Sequence, residues 1–137
     1  MDWISCKNKK LVKNISTDNN LINSLLETSS KKFKTQSMLP LNNTTASSKF
    51  ILAYDSLREL LEALSISKGY KIYNHECYCA FLKEILKESK LGDDFNSLRK
   101  IRNSINYYGK NLSKDETNSL IGLIIKIINL IKKKYFQ

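Results

Sequence analysis

Two arginines, two asparagines and a tyrosine pair share one short stretch, LRKIRNSINYYGK at Leu98–Lys110. Each residue of a helix advances about 100°, so spacing decides which side chains meet. Phe95, Leu98, Ile101, Ile105 and Tyr108 recur every three or four positions and make one apolar stripe. Arg102 falls at the edge of that stripe, and Arg99, Asn103 and Asn106 fall on the polar side. Asn106 is four residues after Arg102, and Tyr107 is four after Asn103, so each pair is adjacent on the helix surface. A guanidinium beside carboxamides and a phenol is rich in donors and suits a phosphate or a nucleobase.

Positioning this stretch takes several helices. The chain has four glycines and one proline in 137 residues, too few breakers for many short strands. One domain with its own core fits this length, with 1–14 as a solvated, extended or short helical N-terminal arm whose Trp3 packs back on the body. Thr17 or Asp18 caps a first helix that ends near Pro40. A second helix runs from about Thr45 to Ser67, closed by Gly69. Its Asp55, Arg58, Glu59 and Glu62 form a charged stripe, read either as an exposed ion-pair ladder or as outer support for Arg102. Tyr70 to Tyr73 make a turn, and Asn74 caps a third helix. The fourth helix starts at Asp93 or Asp94, carries the arginines and stops at Gly109. Ser113 with Glu116 is a capping box for the last helix. That helix is apolar nearly all round from Leu120 to Ile131, which implies a central position or a dimer interface.

The arginine helix resembles the HEPN family, whose members carry an Arg-polar motif followed by a histidine four to six residues on. The upstream stretch YDSLRELLEALSISKGYKIYNHEC resembles that family too, in its Tyr-Asp-x-x-Arg helix ending at Gly-Tyr-Lys. The resemblance covers nearly the whole chain and implies an all-α antiparallel bundle of four to five helices. It implies a homodimer whose polar motif faces a cleft between protomers and binds RNA or nucleotide. It also implies a toxin–antitoxin setting with a minimal nucleotidyltransferase partner. Arg102 matches the family's arginine and Asn103 its polar neighbour, while Tyr107 stands where the histidine belongs.

Metal-free RNA cleavage needs a base for the ribose 2′-hydroxyl and a cation for the phosphorane. Arg102 is a competent cation, and Tyr107 inherits the base position. A phenol is ionised to only about one part in a thousand at neutral pH, where an imidazole is poised. Three readings follow. The chain binds RNA or nucleotide through Arg99, Arg102, Asn103 and Asn106; it is a metal-independent endoribonuclease toxin using Arg102 and Tyr107; or it is a non-catalytic partner subunit.

The formal charge of +10 suits an anionic partner. No cofactor motif or glycine-rich phosphate loop is present. The single histidine, His75, lies four residues before Cys79 with no third ligand, and Cys77 points roughly 200° away from Cys79, so no metal is expected. An odd cysteine count with no secretory apolar run reads as cytoplasmic, with reduced, buried thiols. The longest apolar run is broken by Gly122, Lys126 and Asn129 and falls short of the roughly 20 residues a membrane span takes.

Overall fold

The computed structural model describes residues 1–137. Its elements are α1 (Trp3–Asn8), β1 (Val12–Asn14), α2 (Asn19–Met38), α3 (Ala46–Ser67), β2 (Tyr70–Ile72), α4 (His75–Ala80, continued by a π turn at Phe81–Ile85), α5 (Ser89–Tyr108) and α6 (Lys114–Tyr135). The chain is mostly helical, as its composition predicts, with six helices rather than four or five.

Local chemistry explains most boundaries. The Asp18 carboxylate accepts from the Leu21 N–H (3.0 Å) and opens α2. Leu39 is extended because Pro40 follows it, which ends α2 at Met38. Gly109 takes a left-handed φ of +68° and stops α5. Ser113 and Glu116 form the reciprocal capping box of α6. The arginine helix α5 begins four residues earlier than Asp93, because Asp93 and Asp94 are drawn into ion pairs with Lys83 and Lys90 instead of capping.

The centre belongs to α3. Of its 22 residues, 15 are buried, whereas α6 keeps Ile125 and Leu130 exposed. The all-round apolar α6 is therefore peripheral within the chain, and the stripe expected to be a solvated ladder lies largely inside. Three contacts bind α2 to α3. Ser29 and Ser56 hydroxyls each donate to the other's backbone carbonyl (2.6 and 2.7 Å), which only two small residues facing each other allow. Glu59 accepts from Lys32 and from the Thr28 hydroxyl (2.6 Å). The buried Lys49 ammonium donates to the carbonyls of Gln36 (2.5 Å) and Leu39 (2.9 Å), answering the free carbonyls at the end of α2.

The N-terminal arm is folded. Trp3 is buried in edge-on contact with Tyr70, and its backbone N–H donates to the Glu84 carboxylate (2.7 Å). The segment taken for a turn at Tyr70–Tyr73 contains a strand: β1 pairs antiparallel with β2, with Val12 opposite Ile72 and Asn14 opposite Tyr70. Tyr73 N–H to Leu11 O (2.8 Å) and Ile15 N–H to Gly69 O (2.9 Å) extend the pairing at both ends. No helix is long and apolar enough to cross a membrane.

The expectation of reduced thiols is corrected. Cys6 on α1 and Cys77 on α4 are joined in a disulfide, and only Cys79 is free. The strand pairing brings two cysteines 71 residues apart into reach, which no local pattern announces, and it removes the cysteine argument for a reducing compartment. A loop of that length is worth about 4 kcal/mol by chain entropy. Intact-mass measurement of the denatured, unreduced protein is expected to find it lighter than the reduced form by the mass of two hydrogens. It should also show one free thiol, and Cys6→Ser is expected to lower Tm by on the order of 10 °C. An unchanged Tm would mean that the crosslink adds nothing to stability.

Candidate phosphate-binding site

Side chains from α4 and α5 meet at a pocket of about 380 Å³ lined by Tyr73, Asn74, His75, Glu76, Arg99, Arg102, Asn103 and Tyr107. One wall is local: Arg99, Arg102, Asn103 and Tyr107 stand on successive turns of one face of α5. The other is the start of α4. Asn74 caps that helix through its side-chain oxygen and the Glu76 N–H (2.8 Å), which fixes His75 as the first helical residue. The strand pair immediately before it aims this corner at α5.

His75 is anchored from below. Its Nδ1 shares a hydrogen bond of 2.9 Å with the hydroxyl of Tyr54, which rises from the buried centre of α3. Tyr54 also stacks on Phe95 of α5 at 5.5 Å, so one ring ties the imidazole to both α3 and α5. Burial pushes the Tyr54 phenol up, so it keeps its proton. Nε2 is left as the ring nitrogen available to a ligand. Burial, followed by the charges of Arg58, Arg102 and Arg99, pulls the His75 pKa down to about 4, so the ring is neutral at pH 7.

The arginines are the unusual part. Of the three in the chain, only Arg58 has a carboxylate partner, Glu62 at 3.1 Å. Arg99 donates to the Asn96 side-chain oxygen through Nε (3.2 Å) and Nη2 (2.9 Å). Arg102 has one weak bond to the Asn103 oxygen (3.3 Å), and its buried Nε has no partner at all. Buried donors are nearly always satisfied, so this orphan, closed off from solvent, is a cost the fold leaves unmet. The pocket's one carboxylate, Glu76, pairs with the Met1 amino group at 3.0 Å, and that amine and the hydrogen bond it gives hold its pKa below the usual range.

The residues expected to act together divide as follows. Arg99, Arg102, Asn103 and Tyr107 share the pocket. Asn106 is exposed and does not line it, because the helix turns it past the rim. Tyr108 closes the expected stripe but is exposed, as α5 outruns its neighbours there. Glu62 supports Arg58 and Lys71 rather than Arg102, and Asp55 pairs with neither arginine. Arg58 reaches the site only through its field on His75.

His75, Tyr73 and Tyr54 are the members that sequence reasoning missed. The available signal was the extended run Tyr70–Ile72 ahead of the Asn74 cap. A second groove of about 350 Å³, between α2 and α6 around Phe33, Ile125 and Ile128, holds lysines but no imidazole or guanidinium. No group of side chains is arranged to hold a metal. No family model, curated protein or solved structure matches this chain.

The lowered His75 pKa has a signed consequence. Between about 6.5 and about 4 the unfolded chain takes up a proton there and the folded chain does not. Stability is therefore lost as pH falls through that window. Glu62, Glu76 and Asp2, all held low in the fold, also lose stability on acidification. His75→Gln isolates the histidine part. Urea unfolding from pH 7 to pH 4 is expected to fall less steeply for the variant, by on the order of 1–2 kcal/mol after allowance for the ring's partial exposure. Parallel curves would show that His75 titrates normally.

Proposed function

We propose that this chain is a HEPN-like protein that binds RNA or a nucleotide, with a phosphate seated on Arg99 and Arg102. The observation that carries this reading is the pair of guanidiniums without carboxylate partners that line a single pocket. A planar fork of donors matches two phosphate oxygens. The neutral His75 adds a hydrogen-bonding nitrogen without adding repulsion, and the chain's +10 charge draws a polyanion in. The bare end of α5, with Tyr107 and Tyr108 exposed, leaves one side of the pocket open to a second protomer, as the HEPN resemblance implies.

The test is binding of a short single-stranded RNA across a salt series. Phosphate contacts release counterions, so affinity is expected to fall steeply as salt rises. Arg102→Ala should weaken binding about tenfold or more and flatten the slope, and Arg102→Lys should restore only part, since an ammonium has no fork. Salt-independent binding, or an Arg102→Ala protein that binds like the wild type, would overturn the reading.

One observation favours a second, catalytic reading: His75 stands in the same pocket as Arg102. The imidazole absent from the α5 motif is thus available from α4, and the base role need not fall to Tyr107. With Nδ1–H donating to the Tyr54 oxygen, Nε2 is free to take the ribose 2′-proton, and the hydroxyl serves either tautomer by rotating. The 2′-oxygen then bonds to phosphorus while Arg102 balances the charge on the phosphoryl oxygens. The bond to the 5′-oxygen breaks as that oxygen takes a proton from water, leaving a 2′,3′-cyclic phosphate and a 5′-hydroxyl, and the His75 imidazolium returns its proton to solvent. Cleavage of RNA in EDTA is expected to drop about 10²–10⁴-fold in His75→Gln with binding retained. Equal rates for both proteins would remove His75 from the chemistry.

A further inference from the structure

The chain exposes three aromatic side chains: Tyr73 at 58 %, Tyr107 at 69 % and Tyr108 at 85 %. Two of them, Tyr73 and Tyr107, line the arginine pocket. They stand on its opposite walls, one on the link between β2 and α4 and one near the end of α5. Nothing in the fold uses them. The buried aromatic network runs through Trp3, Tyr70, Phe81, Tyr54, Tyr78 and Phe95 and includes neither ring. Neither hydroxyl makes a hydrogen bond within the chain. A single exposed ring is ordinary on a protein surface, but these two stand together and flank the unanswered guanidiniums.

We infer that the pocket takes an unpaired nucleotide of a single strand, its phosphate on Arg99 and Arg102 and its base stacked on Tyr107 or Tyr73. This rests on the phosphate-binding reading above and adds the class of ligand. Every nucleobase has a π-face, so a tyrosine platform accepts bases without regard to sequence. A base stacked in a duplex presents only its edge, so a double helix cannot use the platforms. A pocket of about 380 Å³ is at the small end of ligand sites and suits one nucleotide unit, not a helix groove. Tyr73 is also held where it is needed: its backbone N–H is bonded to Leu11 O, continuing the strand pairing. The platform is therefore set by the fold, not by a loose loop.

The same chemistry is offered by a free mononucleotide and by an internal nucleotide of a strand. The rings on two walls favour the strand, because a second base can use the second platform.

The test uses the full chain with 2′-O-methyl oligonucleotides, which bind but cannot be cleaved. Four probes are compared: an intact single strand carrying 2-aminopurine, an abasic strand of equal length and charge, a blunt duplex, and AMP. The intact strand is expected to bind about 5- to 100-fold tighter than the abasic strand, with 2-aminopurine fluorescence quenched on binding. Tyr73→Ala and Tyr107→Ala should each erode that preference, and Tyr73→Phe and Tyr107→Phe should keep it. Both tyrosines are exposed, so the alanine variants fold, and unchanged Tm confirms it. Intact and abasic strands bound equally, or a duplex bound as tightly as the single strand, would overturn the platform and leave the arginine site standing. AMP bound as tightly as the strand would overturn the choice of strand. No binding by any probe would remove the arginine reading, and this inference with it.

Discussion

Charge neutralisation inside α3 is the constraint on which the rest of the structure depends. This helix is buried along most of its length, yet its sequence carries Lys49, Arg58, Glu59 and Glu62. A buried charge costs far more than a surface one unless it is paired and hydrogen-bonded. Each is answered, by α2, by β2 or within α3 itself. Lys49 takes the last carbonyls of α2, Glu59 takes Lys32 and Thr28 of α2, and Glu62 takes Arg58 of its own helix and Lys71 of β2. Burial works to raise the Glu62 pKa, and the hydrogen bonds from Lys71 and Arg58 outweigh it. These pairs add little net stability over a greasy core, but removing one partner strands the other. They therefore fix which elements surround α3 more than how tightly they hold.

The pocket is where this accounting stops closing. The chain has 13 carboxylate side chains for 23 basic ones, so some cations must go without. Most of the surplus is lysine in open solvent, where an unpaired charge costs nothing. Arg99 and Arg102 differ because they are partly covered, flanked by amide oxygens rather than carboxylates. Their field opposes the upward shift of the Tyr54 phenol and helps keep His75 neutral. The one nearby carboxylate is drawn off by the Met1 amine. A protein that spends Glu59 and Glu62 on buried pairs leaves positive potential at the rim of α5. Such potential in a half-closed pocket concentrates anions.

What could be read from the sequence follows the range of the forces involved. Helix limits set by Asp18, Pro40, Gly69, Asn74, Gly109 and Ser113 depend on neighbours within four residues, and the structure agrees with each. The α5 face carrying Arg99, Arg102, Asn103 and Tyr107 is legible for the same reason. Tertiary placement is not. The apolar α6 and the charged α3 invite the wrong choice of central helix, because the pairs that make α3's charges tolerable lie on α2 and β2. His75 reads as remote at 27 residues from Arg102, and only the packing of α4 against α5 brings the two into one pocket. The Cys6–Cys77 link was hidden for the same reason.

These two ranges also describe how the site is built. Its α5 wall is a single helical face and needs only helix formation. Its α4 wall is a short helix of six residues, too short to be stable alone. It is held by links from distant segments: the strand pair before it, the Cys6–Cys77 crosslink, the Met1–Glu76 pair and the Tyr54–His75 hydrogen bond. All but the last come from the first fourteen residues. The N-terminal segment, which reads as a loose basic arm, is thus the brace that keeps the imidazole opposite the arginines. Any charge or bulk inserted there acts on the pocket through α4, where Met1 and Asp2 lie beside Glu76.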